Sequence, residues 1–387
     1  MMQVPESMLD RLRDMVGHIV VPPLLSRAPG RVEVLGNHTD YNGGIVLAAT
    51  IDKFVWSLGI PAEDPTICSA DYNESVSFST EDLSPTGLRR WYDYAEGVYW
   101  ALLRRKHQPK GIAAVIHGDV PIGAGLSSSA AFEVSLTNLV TQISGLDLKP
   151  KDCAMVAFEA ERLYCGVACG VMDQFTSQLG RPDSSLAIFC STLETRDIPL
   201  SSDVSLVITD SMISRSAGDA LNQRMAECQS ALKTLRQAGW QISSLSDVTS
   251  DQLKLADSVL EGKLAKRVRH VVTENGRVLL GMKALQEGRV RDFGKMMYES
   301  HISSRDLYDV SHPRLDLLVE IARRQKGVIG SRMTGAGFGG AVLSLVENKR
   351  VPQFIKHMTA EYAKETGQIP KIMACNVPGG VRVEPVP

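Results

Sequence analysis

GDVPIGAGLSSSAA fills residues 118–131, preceded by the apolar run GIAAVIH and followed by a pattern that puts Leu136, Leu139, Val140 and Ile143 on one helical face. The flanks predict a strand, a Gly-rich turn and an amphipathic helix. Gly123, Ala124 and Gly125, with Leu126 behind them, let backbone N–H groups approach a ligand, while Ser127, Ser128 and Ser129 are expected to cap a helix whose first-turn donors have no intrahelical partner. Such a turn is an anion site. Unlike G-x-x-x-x-G-K-S/T it has no Lys, so the helix dipole, a metal ion and side chains from elsewhere must balance the anion. An ordinary capped turn would need fewer serines and glycines than this segment carries.

Around this turn lie 387 residues, more than one hydrophobic core usually covers, which favours two domains. A content of 44% hydrophobic and 22% charged residues is that of a globular chain, too apolar for disorder and too interrupted for membrane spans. Lys plus Arg is 42 and Asp plus Glu is 44, a net charge of -2, so no global basic field exists to hold nucleic acid or an anionic membrane. The N-terminal MMQVPESMLDRLRDMV shows no apolar block with a cleavage site, and a cytoplasmic location is expected. The seven cysteines are odd in number and widely spread, and Cys165 and Cys169 have no neighbouring His or Cys pair to complete a zinc site. Buried free thiols are expected.

Residues 32–60 read as extended pieces (VEVLG, IVLAATI, FVWSLGI) interrupted by the polar turn NHTDYNGG at 37–44. Helical spacing marks 91–107, 130–145, 151–165, 219–238 and 278–300, and SLAIFC and VSLVITD read as strands. This irregular alternation predicts an α+β protein of two domains that divide near 195–215, with units at 1–205 and 206–387.

Four segments in order resemble the galactokinase branch of the small-metabolite kinases that include homoserine, mevalonate and phosphomevalonate kinases. APGRVEVLGNHTDYNGG at 28–44 looks like the galactokinase sugar-binding signature, GDVPIGAGLSSSAA like the family's phosphate loop, CGVACGVMDQFTSQLG at 165–180 like the segment bearing its catalytic aspartate, and SRMTGAGFGGAVLSLV at 331–346 like its third glycine motif. The resemblance implies a ribosomal-S5-like N-terminal domain and a ferredoxin-like C-terminal domain with the active site in the cleft between them. It also implies transfer of phosphate from ATP, with Mg²⁺, to the C1 hydroxyl of an α-hexose, galactose first. No nucleic-acid or membrane partner is expected, protein partners are left open, and a monomer is expected.

Roles carry over by position. Asp173 would orient the attacking hydroxyl and accept its proton late, and Arg31 would pair with Asp173 and the γ-phosphate. Residues 123–129 would cradle the phosphates, with Gly335 of the third motif beside them and Trp91 near adenine. Ser129 and Glu161 would hold the metal ion, a hard-oxygen pair suited to Mg²⁺, whereas Glu159 is expected on another helical face. His38, Asp40 and the backbone around Gly170 would bind ring hydroxyls, and Tyr41 would pack.

Two segments depart from the family. Galactokinases mostly carry Asn where Glu33 stands and Glu, contacting the C6 hydroxyl, where Asn37 stands. An amide at Asn37 can still bond a hydroxymethyl group and can donate to a uronate carboxylate, so galacturonate, N-acetylgalactosamine and 6-deoxy sugars are alternatives. Leu221 or Asn222 stands where the family places a sugar-contacting tyrosine. A galactokinase-like sensor without turnover and a kinase of a non-sugar alcohol such as mevalonate are the competing functions; the complete set of Arg31, Ser129, Glu161 and Asp173 disfavours the first, and the 28–44 segment the second.

Overall fold

The computed structural model describes residues 5–213 and 217–386. Seven strands, β1 (Leu24–Leu35), β2 (Ile45–Ala62), β3 (Thr66–Ser69), β4 (Glu74–Ser77), β5 (Gly111–Gly118), β6 (Ser184–Phe189) and β7 (Glu194–Pro199), build the first sheet. Four more, β8 (Val204–Asp210), β9 (Val328–Thr334), β10 (Ala341–Glu347) and β11 (Lys371–Cys375), build the second, and β12 (Arg382–Pro385) returns to the first beside β1. The two apolar pieces IVLAATI and FVWSLGI belong to one 18-residue strand, β2. Its length lets β5 pair with Val55–Ala62 and β6 with Ile45–Ala48 along one edge, while β1 takes the other.

The run GIAAVIH is continuously apolar because both faces of β5 are covered. Ile112, Ala114 and Ile116 enter the main core, and the alternate Ala113 and Val115 meet Met8 and Leu12 of the N-terminal helix Glu6–Val16. The main core takes in the helices Asp93–Arg104, Ser128–Ser144 and Pro150–Glu159, while Met172 and Phe175 of the helix Met172–Leu179 pack on Val46, Ala48, Leu186 and Ile188 in a cluster of their own. The second sheet is fully antiparallel in the order β11-β8-β10-β9, the 4-1-3-2 arrangement of a ferredoxin-like unit, with most helices inserted between β8 and β9. This is the expected α+β architecture. One apolar cluster runs through both lobes, joining Val34 and Leu47 of the first sheet to Val278, Phe293 and Leu343 of the second lobe.

Three expectations need amendment. The helical run at 278–300 is two helices, Gly262–Gln286 and Val290–Ser303, separated by a turn in which Gly288 takes φ 70. The run at 151–165 starts as the helix Pro150–Glu159 and widens into a π-turn, Ala160–Tyr164. The division at 205/206 cuts β8, and β12 leaves the second unit to pair its backbone with β1. The cysteines are free, five buried and Cys169 and Cys190 half-buried. Among the described residues no helix is long and apolar enough to cross a membrane.

Candidate active site

The C-terminal half of β1, the 37–44 turn, the Gly-rich turn and the start of Met172–Leu179 enclose a cavity of about 370 Å³, lined among others by Arg31, Asp40, Ser127, Ser129, Glu161 and Asp173. At its centre Arg31, on β1, grips Asp173 in a fork: Nε donates to Oδ1 at 2.7 Å and Nη2 to Oδ2 at 2.6 Å. The third guanidinium nitrogen donates to the Gly125 carbonyl at 2.6 Å, and the Arg31 amide to the Leu126 carbonyl at 3.0 Å. One strand residue thus fixes both the aspartate and the Gly-rich turn. Burial pulls the Arg31 pKa down, but Asp173 outweighs it and the group ends above the ordinary arginine value.

The helix Ser128–Ser144 begins differently from the capped start expected. Its N-cap residue, Ser127, is left-handed at φ 61 and makes no side-chain cap; its hydroxyl donates instead to Asp173 Oδ2. Gly123 and Gly125 also take positive φ, 79 and 82, which a Cβ would resist. The first-turn N–H groups are therefore left without a side-chain cap, at the cavity wall where a phosphate chain would lie. Gly123, Gly125, Leu126 and the three serines line the cavity, whereas Ala124, expected to touch the nucleotide, turns its methyl into the core. A neighbouring hollow of about 290 Å³ is lined by Trp91, Tyr72, Tyr94 and Phe132 and shares Ser128 and Ser129 with the first. Trp91 stacks with Tyr72 at 6.2 Å and donates to Glu74 at 2.7 Å. An aromatic-lined hollow beside an anion turn suits a nucleotide base.

Ser129 and Glu161 meet as expected, Oγ donating to Oε1 at 2.8 Å. Glu161 sits in the π-turn Ala160–Tyr164, and Glu159, one residue before that turn, faces away to pair with Arg105 at 2.9 Å. Burial, with Asp173 adding, pushes the Glu161 carboxyl up to about 7. Gln174 bridges two carboxylates, donating to Glu161 at 2.6 Å and to Glu133 at 3.2 Å, while Glu133 Oε1 has no partner and its carboxyl is pushed far up by burial. A half-buried hydroxyl and a buried carboxylate, short of positive charge and beside the Gly-rich turn, fit a hard divalent cation. No group of three or more His, Cys, Asp or Glu that could hold a metal by itself exists among the described residues, so phosphate and water would complete the shell.

On the opposite side of Asp173 lie the residues expected to hold a sugar. Asp40 lines the cavity against Gly170, whose place admits no side chain because a Cβ would overlap the Asp40 carboxylate. Burial pushes Asp40 up to about 7, with Asp173 and Glu33 adding to the rise. His38 is held with both ring nitrogens spent within the protein: Nε2 donates to the Ala336 carbonyl at 3.1 Å and Nδ1 accepts from the Tyr41 hydroxyl at 2.8 Å. Burial drops its pKa to about 3, so it is neutral. Tyr41 therefore bonds rather than merely packs, and also meets Tyr308, which stacks on His38 at 4.9 Å.

Asn37 lies at the cavity floor, fully buried, and its amide is saturated. Nδ2 donates to Glu33 Oε2 at 3.3 Å and to the Gly335 carbonyl at 3.0 Å, and Oδ1 accepts from Ser304 at 2.8 Å. No donor is left over for a uronate, contrary to the reading that kept one open. Gly335, expected beside the nucleotide, thus makes its bond to the sugar turn. Glu33, also on the lining, is held by fully buried Arg332 at 2.8 Å. The departure at 33 and 37 is an exchange within one contacting pair. Of the two candidates for the missing tyrosine, Leu221 lines the cavity and Asn222 does not. The Ser127–Asp173 bond, the Gln174 bridge and the Glu33–Arg332 pair escaped the sequence reading; the adjacency of Gln174 to Asp173 was the one available signal.

The raised Asp40 carboxyl makes a stability prediction. The folded state holds its proton up to about pH 7 and the unfolded chain loses it near 3.8, so folding stability from this group is lost as pH rises between those values. In ligand-free protein, Asp40→Asn should gain stability over wild type, and gain more at pH 8 than at pH 5 by up to about 3 kcal/mol. Denaturant melts at both pH values check this; an equal effect at the two would refute it.

Known proteins with this arrangement agree with the geometry. The GHMP kinases N terminal domain matches residues 93–181, the GHMP kinases C terminal domain residues 282–364, and the galactokinase galactose-binding signature residues 16–59. Galactokinase of Roseiflexus sp. (strain RS-1) is 41% identical over 363 residues, 93% of each chain. That of Clostridium perfringens (strain ATCC 13124) is 37% identical over 89% of this chain and 91% of its own. Lactococcus lactis galactokinase, solved with galactose, superposes with TM-score 0.92 at 29% identity over 96% of this chain and 98% of its own. Methanococcus jannaschii mevalonate kinase shares the fold alone, at TM-score 0.65 and 18% identity over 91% of this chain and 98% of its own. With the forked Arg31–Asp173 pair set between a phosphate turn and the galactose-binding signature, this chain belongs to the galactokinases, a branch of the GHMP kinases.

Proposed function

We propose that the protein transfers the γ-phosphoryl group of ATP to the C1 hydroxyl of α-D-galactose, giving α-D-galactose 1-phosphate and ADP. The observation that carries this reading is the position of Asp173, held by Arg31 and Ser127 where the sugar turn and the phosphate turn meet. The C1 oxygen bonds to the γ-phosphorus as the bond to the β–γ bridging oxygen breaks, and the hydroxyl proton passes to Asp173. With three hydrogen bonds already on its oxygens, Asp173 is a weak base, so it orients the hydroxyl and takes the proton late. Arg31 neutralises charge on the transferring group, and the open N–H groups after Ser127 receive the phosphate chain. Ser129 and Glu161 would hold Mg²⁺, whose chemistry when bound is to offset phosphate charge. The aromatic hollow at Trp91 would take adenine. With ATP as co-substrate, the proposal includes a cytoplasmic location.

Asp40 is the acceptor for ring hydroxyls, with Gly170 giving it room. His38 buttresses the turn through Ala336 and Tyr41 rather than by a free ring nitrogen. The carboxylates of Glu33 and Asp40 on the lining, together with a saturated Asn37, argue against an anionic C6 substituent, and the complete phosphate side argues for an enzyme rather than a sensor.

ADP release in a coupled assay should therefore appear with galactose and fall at least tenfold with galacturonate. Asp173→Ala should lower kcat by about 10²–10⁴-fold. Galacturonate turnover at or above that with galactose, or near wild-type kcat in Asp173→Ala, would overturn the reading. Gly170→Ala, by displacing the Asp40 carboxylate, should raise the galactose KM about tenfold or more, the cost of a lost charged hydrogen bond, while leaving the ATP KM within about twofold. Steady-state kinetics against each substrate checks this.

A further inference from the structure

The helix Gly262–Gln286 belongs to the second lobe, yet three of its side chains end on the backbone of residues 36–45 in the first. Glu274 Oε1 accepts from the amides of Gly36 at 3.0 Å and Asn37 at 3.2 Å and from the Ser300 hydroxyl at 2.5 Å, and Oε2 accepts from Arg277 Nε at 2.8 Å. One helical turn earlier, His270 Nε2 donates to the Asn37 carbonyl at 2.9 Å, its Nδ1 accepting from Ser303 at 2.8 Å. At the far end of the turn, Asn275 Oδ1 accepts from the Ile45 amide at 3.0 Å. Both ends of the segment carrying His38 and Asp40 are thus moored to one helix.

Neither Glu274 nor His270 lines the cavity, and both are fully buried. The electrostatics suit their bonds. Burial pushes Glu274 up, but Arg277, with Arg332 and the Ser300 hydroxyl, outweighs it and holds the carboxyl at about 2, so it is an ionised acceptor. Burial pulls His270 down to about 4, which keeps it neutral with a single N–H to give. A carboxylate accepting two consecutive backbone amides fixes the direction of the chain there, whatever side chains that chain bears.

On the galactokinase reading, we infer that Glu274 and His270 are positioning residues of the sugar subsite: through the backbone of Gly36 and Asn37 they set where Asp40 and His38 stand relative to Asp173. Two second-lobe side chains that do not line the cavity thereby bear on sugar binding. Among the described residues no side chain of this helix bonds to the Gly-rich turn or to the aromatic hollow, so the effect is confined to one substrate.

The test uses the full-length enzyme with Glu274→Gln, which keeps size but offers a weaker acceptor and sets an amide against Arg277. The galactose KM should rise about tenfold or more, the loss of about one charge-assisted hydrogen bond, with the ATP KM within about twofold of wild type. Exchange of the Gly36 and Asn37 amides should quicken about tenfold. Asn275→Ala, at a half-buried site, should raise the galactose KM about threefold with the same selectivity and serves if the first variant does not fold. An unchanged galactose KM, or a parallel rise in both KM values as general loosening would give, overturns the inference. Failure of the unaltered enzyme to phosphorylate galactose would sink the galactokinase reading instead, and unaltered amide exchange in Glu274→Gln would then sink the mooring independently.

Discussion

The fork between Arg31 and Asp173 is the constraint on which the site depends. It joins residues 142 positions apart, from the first strand and from a helix of only eight residues, and the same guanidinium also holds the Gly125 carbonyl. Two charges in a half-buried cleft are costly unless paired with good geometry, and here bidentate bonds supply it. Because one cation serves both the aspartate and the turn, the separation of Asp173 from the Gly-rich turn is set by a single side chain on a β-strand. Ser127 adds a third bond to Asp173 and adopts a left-handed backbone to do so, a strain of roughly 1 kcal/mol that the surrounding bonds maintain.

Around this centre the cavity divides its chemistry by charge. Toward the Gly-rich turn lie uncapped amides, Arg31 and the Ser129–Glu161 pair; toward the 37–44 turn lie the carboxylates of Asp40 and Glu33, with His38 and Asn37 consumed in bracing. The raised carboxyls of Asp40 and Glu161 have a common cause, burial near Asp173 with too few positive neighbours.

Much of this was legible beforehand because the chemistry-bearing residues sit in contiguous segments. A serine run after glycines marks a helix start, and the resemblance of the 165–180 segment points to Asp173 and to Glu161 just ahead of it. Relations between distant side chains were not. The cap expected of Ser127 failed because Asp173, 46 residues away, competes for its hydroxyl. Asn37 was read as a free donor because Glu33 and Gly335 could not be seen to occupy it. The mooring by Glu274 and His270 acts on backbone atoms, which leave no mark in the residues they hold. In the fold, the break at Gly288 and the return of β12 went unread because apolar periodicity runs through the first and a four-residue strand is too short to register.

The apolar cluster that runs through both lobes has a consequence for how such a chain can change over time. Separated, each half would expose to water the surface the other now covers, and the saccharide turn would lose its anchors. Recombination therefore has no seam to cut along: the halves are inherited together, and new specificity has to arise by substitutions at the floor, like the exchange at Glu33 and Asn37, rather than by trading lobes.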